Sequence, residues 1–399
     1  MNLSSEQKYL PFTRPSLDEE TISAVVEVLR SGWLSTGPQV KNFEESLAEY
    51  LNTNNTHRTS SVSRVVKSFT SATEALEVAL RVCGIGPGDE VITPSFSFVA
   101  TSNVILKIGA TPVFVDVDLG TRNLKLEDIP KVITQKTKAI MPVHFAGRSV
   151  DLQELYYYAN KFNLRVIEDA AHAIGSSWQG EKIGSRGDIV VFSFHPNKNI
   201  TTIEGGAISI DANRSTEIKE IELHRFHGII KDADNNTDVL IAGGKSNLSD
   251  VAACVGVGQL KQLDRFNQRR KELVELYYKL LSVTEKQRSL LQLPLYPQDQ
   301  LNREGHSWHM FTPLLNLKKL KITRQEFISS MHKLGIGVGI HYPAIHLFEL
   351  YGKLGYKRGD FPNTEEIGAT TITLPLFPAM EDSDVHRVCA AINTLFSTH

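Results

Sequence analysis

The stretch Val190-Val191-Phe192-Ser193-Phe194-His195-Pro196-Asn197-Lys198-Asn199 decides how this chain is read. Its apolar first half reads as a buried strand. His195 and Pro196 end that run, and a polar turn then presents one lysine, Lys198. Upstream, a second apolar run, Leu164-Arg165-Val166-Ile167, ends in Glu168-Asp169. An ammonium and a carboxylate thus stand at two strand ends.

Further strand patterns lie on either side: residues 90–93, 112–116, 139–143 and 206–210. Helical patterns fall between them, at 75–82, 97–106 and 152–161. Such alternation predicts an α/β fold with a mostly parallel mixed sheet between helices. Ligands of such sheets bind beyond the carboxyl ends of the strands, where Asp169 and Lys198 lie. After residue 250 the pattern changes. Residues 251–281 read as one long helix, 287–305 as a polar segment, and 324–334 and 382–396 as helices, with strands expected at 311–315 and 337–341. These indicate a large domain over 1–265 and a smaller C-terminal α/β domain over 266–399. The polar stretch 52–63 reads as a surface loop.

The bulk numbers exclude several classes. The 399 residues are 41% apolar and 22% charged, with a formal net charge of −2. That balance gives no electrostatic case for nucleic acid or an anionic membrane. No apolar run approaches the roughly 20 residues that span a bilayer. The N-terminus has no signal-peptide pattern, so a cytoplasmic location is expected, and the triplet Asn54-Asn55-Thr56 is then no glycosylation site. Cys83, Cys254 and Cys389 are far apart and odd in number, so neither a disulfide framework nor a metal site is expected.

A lysine and an acid at neighbouring strand ends suit pyridoxal 5'-phosphate (PLP): the amine holds the aldehyde as a Schiff base, and the acid keeps the ring nitrogen protonated. Asp169 also reads as a helix N-cap before Ala170-Ala171-His172. His172 could reach the ring hydroxyl or simply pack. Ser71-Ala72-Thr73-Glu74 opens a helix whose free N–H groups suit a phosphate, and equally reads as a capping box. In Thr93-Pro94-Ser95-Phe96-Ser97-Phe98, either aromatic could stack on a flat ring or fill the core.

Together these elements resemble the PLP-dependent nucleotide-sugar aminotransferases of the DegT/StrS group, of fold type I. The resemblance runs over nearly the whole chain. It includes Ser31-Gly32-Trp33-Leu34-Ser35-Thr36-Gly37-Pro38, Gly86-Pro87-Gly88-Asp89, Pro142-Val143-His144-Phe145-Ala146-Gly147, Glu168-Asp169-Ala170-Ala171-His172, His341-Tyr342-Pro343 and Leu374-Pro375-Leu376-Phe377-Pro378. It implies that Lys198 binds the cofactor covalently and that Asp169 pairs with the ring nitrogen. His172 would sit near the ring hydroxyl and Phe98 would stack on the ring. Ala72, Thr73 and Ser193 would hold the phosphate, joined by Asn247 from a neighbouring subunit, in a homodimer with shared active sites. Thr36, His195, His341 and Tyr342 are candidates for touching the sugar. Ala72, Ser246 and Ile203 depart from the group's usual residues, and 52–67 is longer than usual.

Some members of the group are dehydratases that carry His in place of the lysine; Lys198 favours transamination. The implied activity moves an amino group from L-glutamate to a nucleotide-linked ketosugar, at C4. Amination at C3, or a PLP-binding regulator without turnover, are the alternatives.

Overall fold

The computed structural model describes residues 8–53, 63–297 and 305–398. Most of the expected loop 52–63, the Asn54-Asn55-Thr56 triplet and the end of the polar segment 287–305 lie outside these residues. A seven-stranded sheet organises the chain: β1 (Arg64–Phe69), β2 (Glu90–Pro94), β3 (Thr111–Val115), β4 (Thr137–Ile140), β5 (Arg165–Asp169), β6 (Ile189–Ser193) and β7 (Gly206–Asp211). Their spatial order is β1-β7-β6-β5-β4-β2-β3. The strands from β3 to β6 pair in parallel, and β7 runs antiparallel to both neighbours. The fold is α/β with a mostly parallel mixed sheet, as the strand–helix alternation implies.

Strand β6 shows why its sequence is continuously apolar. Side chains alternate across a sheet. Ile189 and Val191 enter a cluster with Ala75, Leu76 and Ile105, while Val190 and Phe192 enter another with Phe43, Leu47 and Phe266. Helices therefore cover both faces. Those that matter for the site are α1 (Glu19–Ser31), α2 (Pro38–Asn52), α3 (Ala72–Val82), α4 (Ala100–Lys107), α5 (Leu152–Phe162), α6 (Asp250–Leu260) and α7 (Leu263–Leu281).

Three local expectations differ from the structure. The single helix over 251–281 is two, α6 and α7, parted at Lys261-Gln262 without Pro or Gly. The strand over 311–315 shrinks to Leu314–Leu315, and 337–341 forms no strand; single bridges Phe311–Leu374 and Gly339–Thr373 stand instead. The stretch Arg64–Phe69, unassigned from sequence, is a strand.

The C-terminal third has its own core, in which Leu273, Val274 and Tyr277 of α7 pack with Phe311, Phe327, Val388 and Leu10. It is bolted to the sheet by polar contacts. Asp116, just past β3, accepts the first N–H groups of the helix Pro362–Thr370, from Asn363 (3.0 Å) and Thr364 (2.9 Å). Thr364 also meets Ser95 Oγ at 2.6 Å. The Tyr351 hydroxyl lies 2.7 Å from Ser102 Oγ and 2.6 Å from Asn103 Oδ1, both on α4.

Candidate active site

A cleft of about 250 Å³ opens where β5 and β6 end. Lys198, Asp169, Ala72, Thr73, Phe98, His172, Ser193, His195, His341 and Tyr342, all singled out from sequence, line it. The turn that carries Lys198 is pinned on both sides. Phe194 N–H donates to Gly205 O (2.8 Å), and Lys198 N–H donates to His195 O (2.8 Å). Next to it, Asn199 Nδ2 donates to Ser307 O (2.7 Å) and Asn267 Oδ1 (2.6 Å). Burial pushes the Lys198 ammonium down to about 8, against the opposing pull of Asp169. At pH 7 about a tenth of that amine is then unprotonated and nucleophilic, far more than for an ordinary lysine.

Asp169 ends β5 with its carboxylate buried. Oδ2 accepts from Thr101 Oγ1 at 2.8 Å and Oδ1 from Ala171 N–H at 3.1 Å. Burial raises its pKa; the two donors and the nearby Lys198 counter that. The His172 ring is held far below its usual range by burial and by the charges of Lys198 and His341. Its Nδ1 accepts from Ala146 N–H (3.3 Å), so the neutral ring carries its proton on Nε2, 3.4 Å from the Tyr342 hydroxyl. Burial also lowers His341 to about 4, and its Nδ1 lies 2.8 Å from Thr373 Oγ1.

The two aromatics part company. Phe96 is fully buried at 0% exposure, against Phe145, whereas Phe98 is 54% exposed over the cleft, 5.8 Å from the Tyr342 ring. The N-terminus of α3, with Ser71, Ala72 and Thr73, lines the same cleft. Ser71 caps it by accepting from Glu74 N–H at 3.1 Å, and the Glu74 carboxylate turns to Lys107. Gly206 lets β7 approach this helix end: a Cβ there would sit 2.4 Å from Ala72 N. An amine, a buried acid, a flat exposed ring and a helix N-terminus converge, which is the donor set that a phosphorylated pyridine aldehyde requires.

Asn247 and Thr36 stand elsewhere. Both line a separate groove with Arg225, Phe226 and Ile230, where Asn247 Nδ2 donates to Thr36 Oγ1. Thr36 Oγ1 donates to Leu248 O (2.6 Å), and the buried Asp250 carboxylate holds Gly37 N–H (2.7 Å) and Val40 N–H (3.0 Å). These two residues do not reach the cleft of their own chain.

The sequence reading missed several members. Thr101 and Ser97 lie in a helical pattern with nothing to mark them. The His309 ring packs tilted against His172, with centroids 4.5 Å apart, although their sequence positions are far apart. Glu204 lines the cleft opposite His195.

The model of the DegT/DnrJ/EryC1/StrS aminotransferase family matches residues 15–393. The chain is 38% identical over 400 residues to the uncharacterized protein MJ1066 of Methanocaldococcus jannaschii, covering 98% of each. Among solved structures, it is similar to Helicobacter pylori PseC, an aminotransferase involved in the biosynthesis of pseudoaminic acid: 30% identity, 98% of this chain, 100% of that one, TM-score 0.87. It is equally similar to Spr1654 of Streptococcus pneumoniae in its PLP form: 31% identity, 98% and 99% coverage, TM-score 0.86. With the fold, the cleft and these relatives in agreement, the chain belongs to the DegT/DnrJ/EryC1/StrS aminotransferase family, and its cofactor is pyridoxal phosphate.

Proposed function

We propose that the protein moves an amino group from L-glutamate to a nucleotide-linked ketosugar, at C4 of the sugar, in a homodimer whose two clefts are shared. The observation that carries this reading is the amine of Lys198, lowered to about 8, in one cleft with the buried carboxylate of Asp169. Pyridoxal phosphate supplies the aldehyde that carries the nitrogen and the ring that takes up electrons. Lys198 Nζ is a base of suitable strength to move a proton at the donor's α-carbon. The Asp169 carboxylate would hold the proton on the ring nitrogen. The His172 Nε2–H would offer a hydrogen bond to the ring hydroxyl, and Phe98 would cover the ring face. The N–H groups of Ala72 and Thr73, with Ser193 Oγ, would bind the phosphate.

A sugar as acceptor is supported by the similarity to PseC. Shared clefts are supported by the position of Asn247 and Thr36, which are built into a groove away from their own Lys198. We assign contact with the sugar to His195, His341 and Tyr342, which line the same cleft. We put the domain boundary near residue 265, because Leu263 and Phe266 pack against the sheet while Leu273 and Val274 pack in the C-terminal core. A cytoplasmic location accords with three cysteines that are all free.

The test uses the PLP-loaded protein. L-Glutamate alone should convert the visible spectrum to that of the aminated cofactor and release one 2-oxoglutarate per site. A panel of nucleotide-linked 3- and 4-ketosugars should then yield one aminated product, with nitrogen on C4 by NMR. Nitrogen on C3 overturns the regiochemistry, and a spectrum indifferent to glutamate identifies a binder without turnover.

A further inference from the structure

Asp169 is the end of a longer hydrogen-bond chain. Its Oδ2 accepts from Thr101 Oγ1 (2.8 Å), and Thr101 Oγ1 lies 2.9 Å from Ser97 Oγ. A hydroxyl has one proton to give. Thr101 gives it to Asp169, so Ser97 must be the donor in the contact between the two hydroxyls. Both side chains are buried. Both come from the segment that carries Phe98: Ser97 precedes α4 and Thr101 lies in its first turn, so the Ser97 hydroxyl reaches Asp169 only through Thr101.

We propose that Ser97 and Thr101 are positioning residues, a one-way hydrogen-bond chain that holds the Asp169 carboxylate charged and aimed at the cofactor's ring nitrogen. The proposal rests on the reading of Asp169 as that nitrogen's partner. The charged and titratable groups facing Asp169 are Lys198 from the turn after β6, His144 from the loop after β4, and Tyr342 from the C-terminal domain. Burial keeps the Tyr342 phenol protonated and without charge. His144 accepts at Nδ1 from Val150 N–H (3.2 Å) and turns Nε2 to Glu168 (2.9 Å), away from Asp169. Lys198 can support the carboxylate only while it is an ammonium, and its chemistry requires the neutral amine. The Thr101 hydroxyl and the Ala171 N–H are therefore the donors whose support does not vary through the reaction. Ser97 polarises Thr101 and strengthens it as a donor.

The experiment measures PLP affinity of the apoprotein from pH 5 to 9 for the wild type, Thr101→Val, Thr101→Ser, Ser97→Ala and Asp169→Asn, with a thermal melt of each (pH range roughly spanning the titration of a raised carboxyl). Loss of a donor to the charged form raises a carboxyl pKa, so a higher pH is needed to ionise it. The acidic limb of PLP binding should move up by about one pH unit in Thr101→Val. Thr101→Ser should restore the wild-type limb, and Ser97→Ala should move it in the same direction by less. A limb in Thr101→Val that coincides with the wild type overturns the proposal. Should Thr101→Val lack a cooperative melt, Ser97→Ala decides, and a coincident limb there overturns it. If Asp169→Asn binds PLP like the wild type, the assignment of Asp169 falls; if only that variant is impaired, the hydroxyl chain alone falls.

Discussion

A single methyl group at Gly206 should separate cofactor binding at the phosphate from binding at the ring. Gly206 opens β7 and pairs with Phe69 of β1 on one side and Ser193 of β6 on the other. A Cβ built there lies 2.4 Å from Ala72 N and 2.6 Å from both Ala72 Cα and the Ser71 carbonyl carbon. Carbon atoms rest at about 3.5–4.0 Å. The two backbones would have to part by about 1 Å, and since every clashing atom is main chain, no side chain can turn aside. Strand β7 is held by ladders on both edges, so the N-terminus of α3 must give way. Overpacking of this kind costs about 1–3 kcal/mol in stability. It also displaces the N–H groups of Ala72 and Thr73. Loss of one hydrogen bond to a charged phosphate is worth about 1.5 kcal/mol or more, which is roughly tenfold in affinity. Titration of apo Gly206→Ala should show PLP binding weakened about tenfold, with pyridoxal, which lacks the phosphate, nearly unaffected. Gly86→Ala, whose Cβ meets nothing within 4 Å, serves as the control. Wild-type PLP affinity in Gly206→Ala refutes the placing of the phosphate at α3. Equal weakening of both ligands refutes it too, because the damage is then to the whole cleft.

Lys198→Arg keeps a positive charge but should abolish covalent retention of PLP, read as loss of the cofactor's visible band after gel filtration; retention of the band refutes the assignment. In the apoprotein, Lys198→Met should raise stability, because the native state disfavours the ammonium. That gain is fully present below pH about 8, where both folded and unfolded lysines are charged, and fades by the ordinary value of 10.5. Urea melts at pH 7 and pH 10.5 check the sign (pH values bracketing the lysine titration, roughly). Ile203 is exposed with φ of 71°, a left-handed conformation in which a β-branched residue is strained. Ile203→Gly should relieve about 1–2 kcal/mol of that strain, offset by about 0.5–1 kcal/mol of chain entropy, and so raise the urea midpoint slightly. Asp250→Ala removes the acceptor of three N–H groups at the start of α2. It should cost about 3 kcal/mol or more in a denaturant melt.

Much of this was legible in the chain because strand ends carry local signals. The run into Phe194 and the run into Asp169 are apolar by necessity, each being covered on both faces, and their polar exits mark the cleft. Strand β1 escaped because Arg64, Lys67 and Ser68 break its apolar pattern and its partner β7 lies far along the chain. Only in the fold does Arg64 turn inward to Ser209, with Nε–Oγ at 3.0 Å. The strands expected at 311–315 and 337–341 have β-like composition, but the first pairs as a ladder only at Leu314–Leu315 and the second finds only an isolated bridge at Gly339. Lys198 and Asp169 were readable because charge at the end of a buried strand is uncommon. Ser97, Thr101 and His309 were not, since a hydroxyl on a helix or an imidazole among apolar residues gains meaning only from what tertiary packing sets beside it.

Asp116 and Thr364, with Tyr351 against α4, fasten the C-terminal third to the strand-end side of the sheet, and His341 and Tyr342 belong to that same third. A swing of that third over the sheet would strip a carboxylate from a helix terminus and leave buried hydroxyls unanswered. The two walls of the cleft are thus tied to each other, and exchanging the side chains around its mouth is the direct way to retune what it accepts.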